Sequence, residues 1–96
     1  MSKYILQTAA NCLDIVWMLG SPEYNVLHES DIANELGLSR DQAFRCLKTL
    51  QDKKIVTPKD TSKWGLSPEI VRLADGLRRY ISKRRSELDS LEREFF

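Results

Sequence analysis

The sequence predicts a mostly α-helical fold with one small β-hairpin, on three observations. Apolar residues recur at helical spacing in 4–19, 29–36, 40–53 and 67–96. Gly37 separates the second and third of these segments, as a tight turn between two packed helices requires. Two short segments, Ile55-Val56-Thr57 and Trp64-Gly65-Leu66, flank a polar turn and favour paired strands. This order predicts a winged helix-turn-helix over residues 1–66, followed by a long C-terminal helix over 67–96.

Composition places the chain among ordinary globular proteins. It has 96 residues, of which 42% are hydrophobic and 30% charged. No stretch resembles a membrane span or a secretory signal, so we expect a cytoplasmic protein, nucleoid-associated if bacterial or archaeal. Cys12 and Cys46 fall on apolar helix faces and are expected to be reduced core thiols. No metal site and no cofactor are predicted.

Positive charge is concentrated in the middle of the chain. Residues 1–38 carry one basic residue against five acids, residues 39–66 carry seven against three, and residues 67–96 carry seven against six. Although the net charge is only +1, the segment that contains the third helix and the hairpin has a local excess of positive charge. Local charge of this kind attracts a phosphate backbone.

The first predicted helix ends at Gly20-Ser21-Pro22, and residues 21–27 are expected to form a loop. Trp17 is interpreted as a core or interface anchor rather than a ligand-stacking residue. His28 is expected at the surface near the start of the second helix, where Ser, Thr or Asp would make a better cap.

Residues 29–50 predict a helix-turn-helix. Ala33 is small where the two helices approach, and Gly37 forms the turn. Ser39 and Gln42 have the spacing of a capping box at the start of the next helix. One face of that helix, which spans about 39–53, is apolar; it consists of Ala43, Cys46, Leu47 and Leu50.

The opposite face is polar and basic, as the major groove of DNA accepts. Arg45 is the candidate for a guanine contact, Gln42 for an adenine, and Asp41 for accepting from cytosine or repelling wrong sites. Lys59 and Lys63 flank the tip of the hairpin, whose segment 58–63 is the candidate wing on the DNA backbone; a solvated loop is the alternative. The complete predicted DNA-binding set is Ser39, Arg40, Asp41, Gln42, Phe44, Arg45, Lys48, Thr49, Lys59 and Lys63. Trp64 is expected to pack beneath the wing.

The C-terminal helix is predicted to dimerise. Ser67 is a candidate N-cap, Pro68 suits the first helical position, and Asp75-Gly76 is a possible kink. Two rows with a period of seven form a heptad seam: Ile70, Leu77, Arg84 and Leu91, and Ala74, Ile81, Leu88 and Phe95. The residues predicted to pair two copies are Leu77, Ile81, Leu88, Leu91 and Phe95. A frayed amphipathic tail is the alternative. The basic run from Arg78 to Arg85 is interpreted as a solvated face.

In order, these segments resemble the N-terminal DNA-binding domain of IclR-type transcriptional regulators. The resemblance lies in 36–50, in 10–16 as the first helix and in 64–66 as the strand returning from the wing, and it covers about residues 7–75. It implies a dimeric winged helix on a palindromic operator. Asp41-Gln42 depart from the Ser-Thr common in that family, and His28 replaces a hydroxyl cap. The resemblance does not carry a small-molecule effector over to this chain.

The sequence thus indicates a sequence-specific double-stranded DNA-binding transcriptional regulator, acting as a homodimer and as a repressor. The alternative is a winged-helix adaptor or antagonist that binds protein and not DNA. An enzyme is disfavoured, since one histidine, no glycine-rich phosphate loop and no paired carboxylates leave no catalytic constellation.

Overall fold

The computed structural model describes residues 3–96 and contains four helices and three strands in this part of the chain. Their order is α1 (Gln7–Leu19), β1 (Val26–His28), α2 (Glu29–Leu36), α3 (Arg40–Asp52), β2 (Val56–Asp60), β3 (Lys63–Leu66) and α4 (Pro68–Phe95). The predicted fold class, a mostly α-helical winged helix-turn-helix with a long C-terminal helix, is confirmed.

The wing is larger than predicted, because a third strand joins the hairpin. Residues 26–28, expected to lie in or next to a loop, form β1 and pair antiparallel with β3, giving the strand order β1-β3-β2. A three-residue strand has too little periodicity to be recognised from its own sequence. It exists because β3 offers it backbone donors and acceptors. The Glu29 backbone N–H extends this attachment by donating to the Ser62 carbonyl at 2.9 Å.

A single core joins α1, α2, α3 and the sheet. Its largest fully buried side chains are Ile15, Leu19, Ile32, Leu47 and Val56. Trp64 is buried beneath the wing, as predicted, and its indole N–H donates to the Glu29 carboxylate at 3.4 Å. Trp17 is not a core residue, since its side chain is 82% exposed. The sequence could not show whether another element covers this side of α1.

The turn between α2 and α3 has the geometry that its sequence predicts. Gly37 adopts a left-handed conformation with φ of 67°, and Ala33 is buried where α2 and α3 meet. His28, expected to be a poor cap, does cap α2: its Nδ1 accepts the backbone N–H of Ser30 at 3.1 Å. An imidazole nitrogen can accept this hydrogen bond just as a hydroxyl oxygen can.

The last helix extends away from the rest of the protein. α4 is continuous through Asp75 and Gly76, so the predicted kink does not occur, and none of its side chains is buried. The radius of gyration is 18.6 Å, whereas a compact domain of this length would have about 12–13 Å. Ser67 occupies the N-cap position, but its hydroxyl donates to the Lys54 carbonyl instead of capping the helix.

Candidate nucleic-acid interface

The start of α3 is fixed by a capping box. The Gln42 backbone N–H donates to Ser39 Oγ at 3.0 Å, and the Ser39 backbone N–H donates to Gln42 Oε1 at 2.9 Å. Two of the backbone donors that a helix leaves free at its start are thereby satisfied. The buried face of α3 then anchors the helix in the core through the four residues predicted, Ala43, Cys46, Leu47 and Leu50.

The opposite face of α3 is open to solvent. At about 100° per residue, Asp41, Phe44, Arg45 and Lys48 lie near its middle. All seven of the α3 residues predicted to bind DNA are exposed: Arg40, Asp41, Gln42, Phe44, Arg45, Lys48 and Thr49. The fold therefore gathers this part of the predicted set on one uncovered surface, which we call the α3 outer face.

Side chains on the α3 outer face are linked to one another. Arg45 Nε lies 3.1 Å from Asp41 Oδ2, one helical turn away. Lys48 Nζ donates to Gln51 Oε1 at 3.1 Å and lies 6.0 Å from the centre of the Phe44 ring. Exposed pairs of this kind contribute only about 0.3–0.5 kcal/mol each. They bias side-chain orientation without holding it rigidly.

Gln42 is less available for base reading than its sequence position indicates. A bidentate contact to adenine uses the amide oxygen as acceptor and the amide nitrogen as donor. The oxygen, Oε1, already accepts the Ser39 N–H in the capping box. Reading adenine in that mode would therefore require the box to open. The sequence pattern for a cap and the pattern for a base contact coincide at this residue.

The wing carries its two lysines on different strands. Residues 58–60, expected to belong to the turn, continue β2, and the turn itself narrows to Thr61 and Ser62. The pairing of β2 with β3 shifts between Pro58 and Asp60, so Lys59 lies at a β-bulge, and its side chain passes over Gly65. Lys63 begins β3, opposite both His28 and Asp60. Lys59 and Lys63 are both exposed.

A polar groove between α1 and α3 contains residues that the sequence analysis did not select. It has a volume of about 260 Å³ and is lined by Thr8, Asn11, Gln42, Arg45, Cys46 and Thr49. Thr8 and Asn11 are two of the four polar positions on α1. Only the packing of α1 beside α3 brings them next to the predicted base-reading residues.

Cys46 is buried and lines this groove, whereas Cys12 is half-buried and packs against the core. Burial, together with the neighbouring Cys12 thiol, raises the pKa of Cys46 to about 11. Cys46 is thus a neutral core residue at physiological pH. Within residues 3–96 no cluster of three or more His, Cys, Asp or Glu side chains has an arrangement that could hold a metal ion.

In the part of the chain that the structure describes, no helix has the length and apolar character needed to cross a membrane. Even α4, with 28 residues, lacks an apolar stretch long enough to cross a bilayer, and so do the shorter helices.

Comparison with known proteins relates this fold to regulators. No family model and no curated protein matches the chain. An IclR transcriptional regulator from Alicyclobacillus acidocaldarius superposes with a TM-score of 0.68 at 22% identity, over 73% of this chain and 28% of that one. An IclR family transcriptional regulator from Brucella abortus superposes with a TM-score of 0.67 at 21% identity, over 78% of this chain and 29% of that one.

Wild-type Lactococcus lactis ZitR matches over the whole of this chain and 65% of its own, with a TM-score of 0.53 and 19% identity. The chain thus spans less than a third of the IclR structures that it matches. The resemblance to IclR-type regulators that the motifs predict is confirmed as a shared winged helix-turn-helix fold.

Proposed function

We propose that this protein is a sequence-specific double-stranded DNA-binding transcriptional regulator that acts as a homodimer. The observation that carries this proposal is the α3 outer face. Its side chains are exposed on a helix held by the capping box and by the core. The major groove is about 12 Å wide and accepts one α-helix. A helix that is anchored on one face and polar and basic on the other fits that groove.

Roles within the interface follow from chemistry and position. Arg45 is the candidate for a bidentate contact to guanine, and Lys48 adds a second cation in the middle of the face. Arg40 is a further candidate for the groove, and Ser39, at the start of α3, is a candidate for a phosphate contact. Lys59 and Lys63 extend the contact to the backbone from the wing. We assign no enzymatic activity, no cofactor and no small-molecule effector.

The proposed dimer forms through α4. The side chains of Leu77, Ile81, Leu88, Leu91 and Phe95 are all exposed, Leu88 at 65%. Apolar rows at heptad spacing on a helix without buried residues favour pairing with a second such helix. Two copies then present two α3 helices to two half-sites. We further propose a repressor acting in the cytoplasm, since a bound dimer can block its DNA site without a further contact.

An adaptor that binds protein instead of DNA is the second candidate. The observation that favours it is the ion pair of Arg45 with Asp41, which offsets one positive charge in the middle of the α3 outer face. The exposed apolar rows of α4 would then bind a different protein.

Salt titration separates the two candidates. The affinity of the full chain for a random-sequence duplex is measured by fluorescence anisotropy between 50 and 300 mM salt (about the range over which counterion release changes affinity steeply). A DNA-binding regulator loses affinity linearly on logarithmic axes. Absence of binding at the lowest salt contradicts the proposal and favours the adaptor. Selection from a random oligonucleotide pool, with sedimentation equilibrium, then gives the operator and the oligomeric state.

A further inference from the structure

We propose that Asp41 is a positioning residue, which sets base specificity by orienting the guanidinium of Arg45 without contacting a base itself. This inference rests on the proposed DNA-binding function and assigns a distinct role within it. It starts from one contact, in which Arg45 Nε lies 3.1 Å from Asp41 Oδ2 across one turn of α3.

The geometry of this contact leaves the reading end of the arginine free. The carboxylate meets the guanidinium at Nε, on the side nearest the aliphatic stem. Among residues 3–96, the pair with Asp41 is the only ion pair of Arg45. A carboxylate held at Nε leaves the outer edge of the guanidinium, which carries Nη1 and Nη2, open to a base. Guanine offers O6 and N7 as adjacent acceptors, and a planar fork of N–H donors matches them.

An arginine side chain that is already oriented before binding discriminates better between bases. A free arginine samples many rotamers, and ordering it reduces the affinity gained from the base contact. Asp41 must therefore hold the Arg45 side chain in the orientation in which it contacts the base. Arg45 and Asp41 are 80% and 71% exposed, so the pair is weak in water. Expulsion of water from the groove strengthens it when DNA is bound.

Two other roles for Asp41 make different predictions. If Asp41 itself accepts from cytosine N4, its loss changes preference at a base pair other than the one read by Arg45. If Asp41 only repels phosphates, its loss strengthens binding to every duplex and leaves preference unchanged. If Asp41 positions Arg45, loss of either side chain changes the base preference at the same base pair.

The test uses the full chain and the preferred duplex from an oligonucleotide pool. Arg45→Ala first identifies the base pair at which preference is lost. At that base pair we expect Asp41→Asn to lower the guanine-to-adenine affinity ratio about tenfold, within the range for a bidentate contact. Asp41→Glu retains a carboxylate within reach of Arg45 and should restore most of the ratio.

A matched control lies on the same helix. Asp52 is exposed at the end of α3, eleven residues after Asp41, and its carboxylate lies 4.0 Å from Lys53 Nζ, so it pairs with a cation other than Arg45. Asp52→Asn makes the same change in charge, so it should strengthen binding to random duplex as Asp41→Asn does while leaving the ratio unchanged. Thermal unfolding of each variant verifies that α3 remains folded.

The double variant provides the sharpest readout. If Asp41 acts through Arg45, then Asp41→Asn combined with Arg45→Ala should have the same ratio as Arg45→Ala alone. An unchanged ratio in Asp41→Asn overturns the inference, as does a loss at a different base pair. Either result leaves DNA binding intact. Failure of the wild-type chain to bind duplex at low salt removes the proposed function and this inference together.

Discussion

The side chain of Lys59 lies across Gly65 of the neighbouring strand, where an added β-carbon would force that side chain to shift. A β-carbon at position 65 would lie 2.8 Å from Lys59 Cε, 3.1 Å from its Cγ and 3.2 Å from the Asn25 carbonyl oxygen. The absent side chain of Gly65 thus sets the path of a lysine that we place on the DNA backbone. The wing and its proposed contact are coupled through this one position.

Gly65→Ala should displace Lys59 and weaken binding to random duplex, but by less than Lys59→Ala does, because the displaced lysine keeps its charge. Crowding against the Asn25 carbonyl should also lower the free energy of unfolding by about 1 kcal/mol. Anisotropy and urea denaturation measure the two effects. Gly76→Ala is the control, since nothing would lie within 4 Å of a β-carbon added there, and alanine should stabilise α4 by about 1 kcal/mol. Wild-type affinity in Gly65→Ala would show that binding does not depend on this path of Lys59.

Ser39→Ala should lower the free energy of unfolding by about 1 kcal/mol, because it removes the acceptor for the Gln42 N–H and opens the capping box. Urea denaturation followed by circular dichroism measures the change. Ser86→Ala, at an exposed position within α4, should leave stability the same or slightly higher. Equal midpoints for wild type and Ser39→Ala would mean that the box contributes nothing.

Arg45→Ala and Lys59→Ala should weaken DNA binding in different ways. Loss of Arg45 should cost about 1–3 kcal/mol at one base pair, because a base contact carries sequence information. Loss of Lys59 should weaken all sequences alike and reduce the salt slope by about 1. Titrations against the preferred duplex and its single-base variants separate these outcomes. Uniform losses in both variants contradict the assignment of Arg45 to a base.

Leu88→Asp should convert the proposed dimer to a monomer of 11.1 kDa, because it places a charge in the apolar row of α4. Sedimentation equilibrium reports the mass, and affinity for the operator should fall with it. Ser86→Asp adds the same charge to the helix outside both rows and should leave the dimer unchanged. A monomeric wild type, or a dimeric Leu88→Asp, argues against pairing through α4.

The free energy of unfolding should fall in alkaline solution because of the ionisation of Cys46. Its pKa is raised from 9.0 to about 11, so between these values the unfolded thiol is ionised while the folded one is still neutral. Ionisation of the thiol therefore favours unfolding. The contribution of Cys46 to the free energy of unfolding is complete below pH 9 and is lost as the pH rises toward 11. Urea denaturation from pH 8 upward should show a steeper decline for wild type than for Cys46→Ala. Parallel curves would indicate that this thiol ionises equally in both states.

Local patterns were sufficient to predict most of the fold. Helical spacing, Gly37 and the Ser39–Gln42 box predicted α2, the turn and α3 correctly, because each is stabilised by contacts within a few residues. The residues of the α3 outer face followed from the same periodicity, since whatever lies opposite a buried face is exposed. Lys59 and Lys63 lie in the two strands on either side of the turn Thr61–Ser62, and their contact with DNA stays a prediction.

Elements whose stabilising partners are neighbours along the chain could be predicted from the residues alone. The remaining features depend on how whole elements pack against one another. This packing made β1 a strand by pairing it with β3, placed Thr8 and Asn11 beside α3, and left Trp17 exposed. The reason is that these features depend on residues far apart in sequence. Periodicity identifies an apolar face, but the arrangement of whole elements determines whether that face is covered.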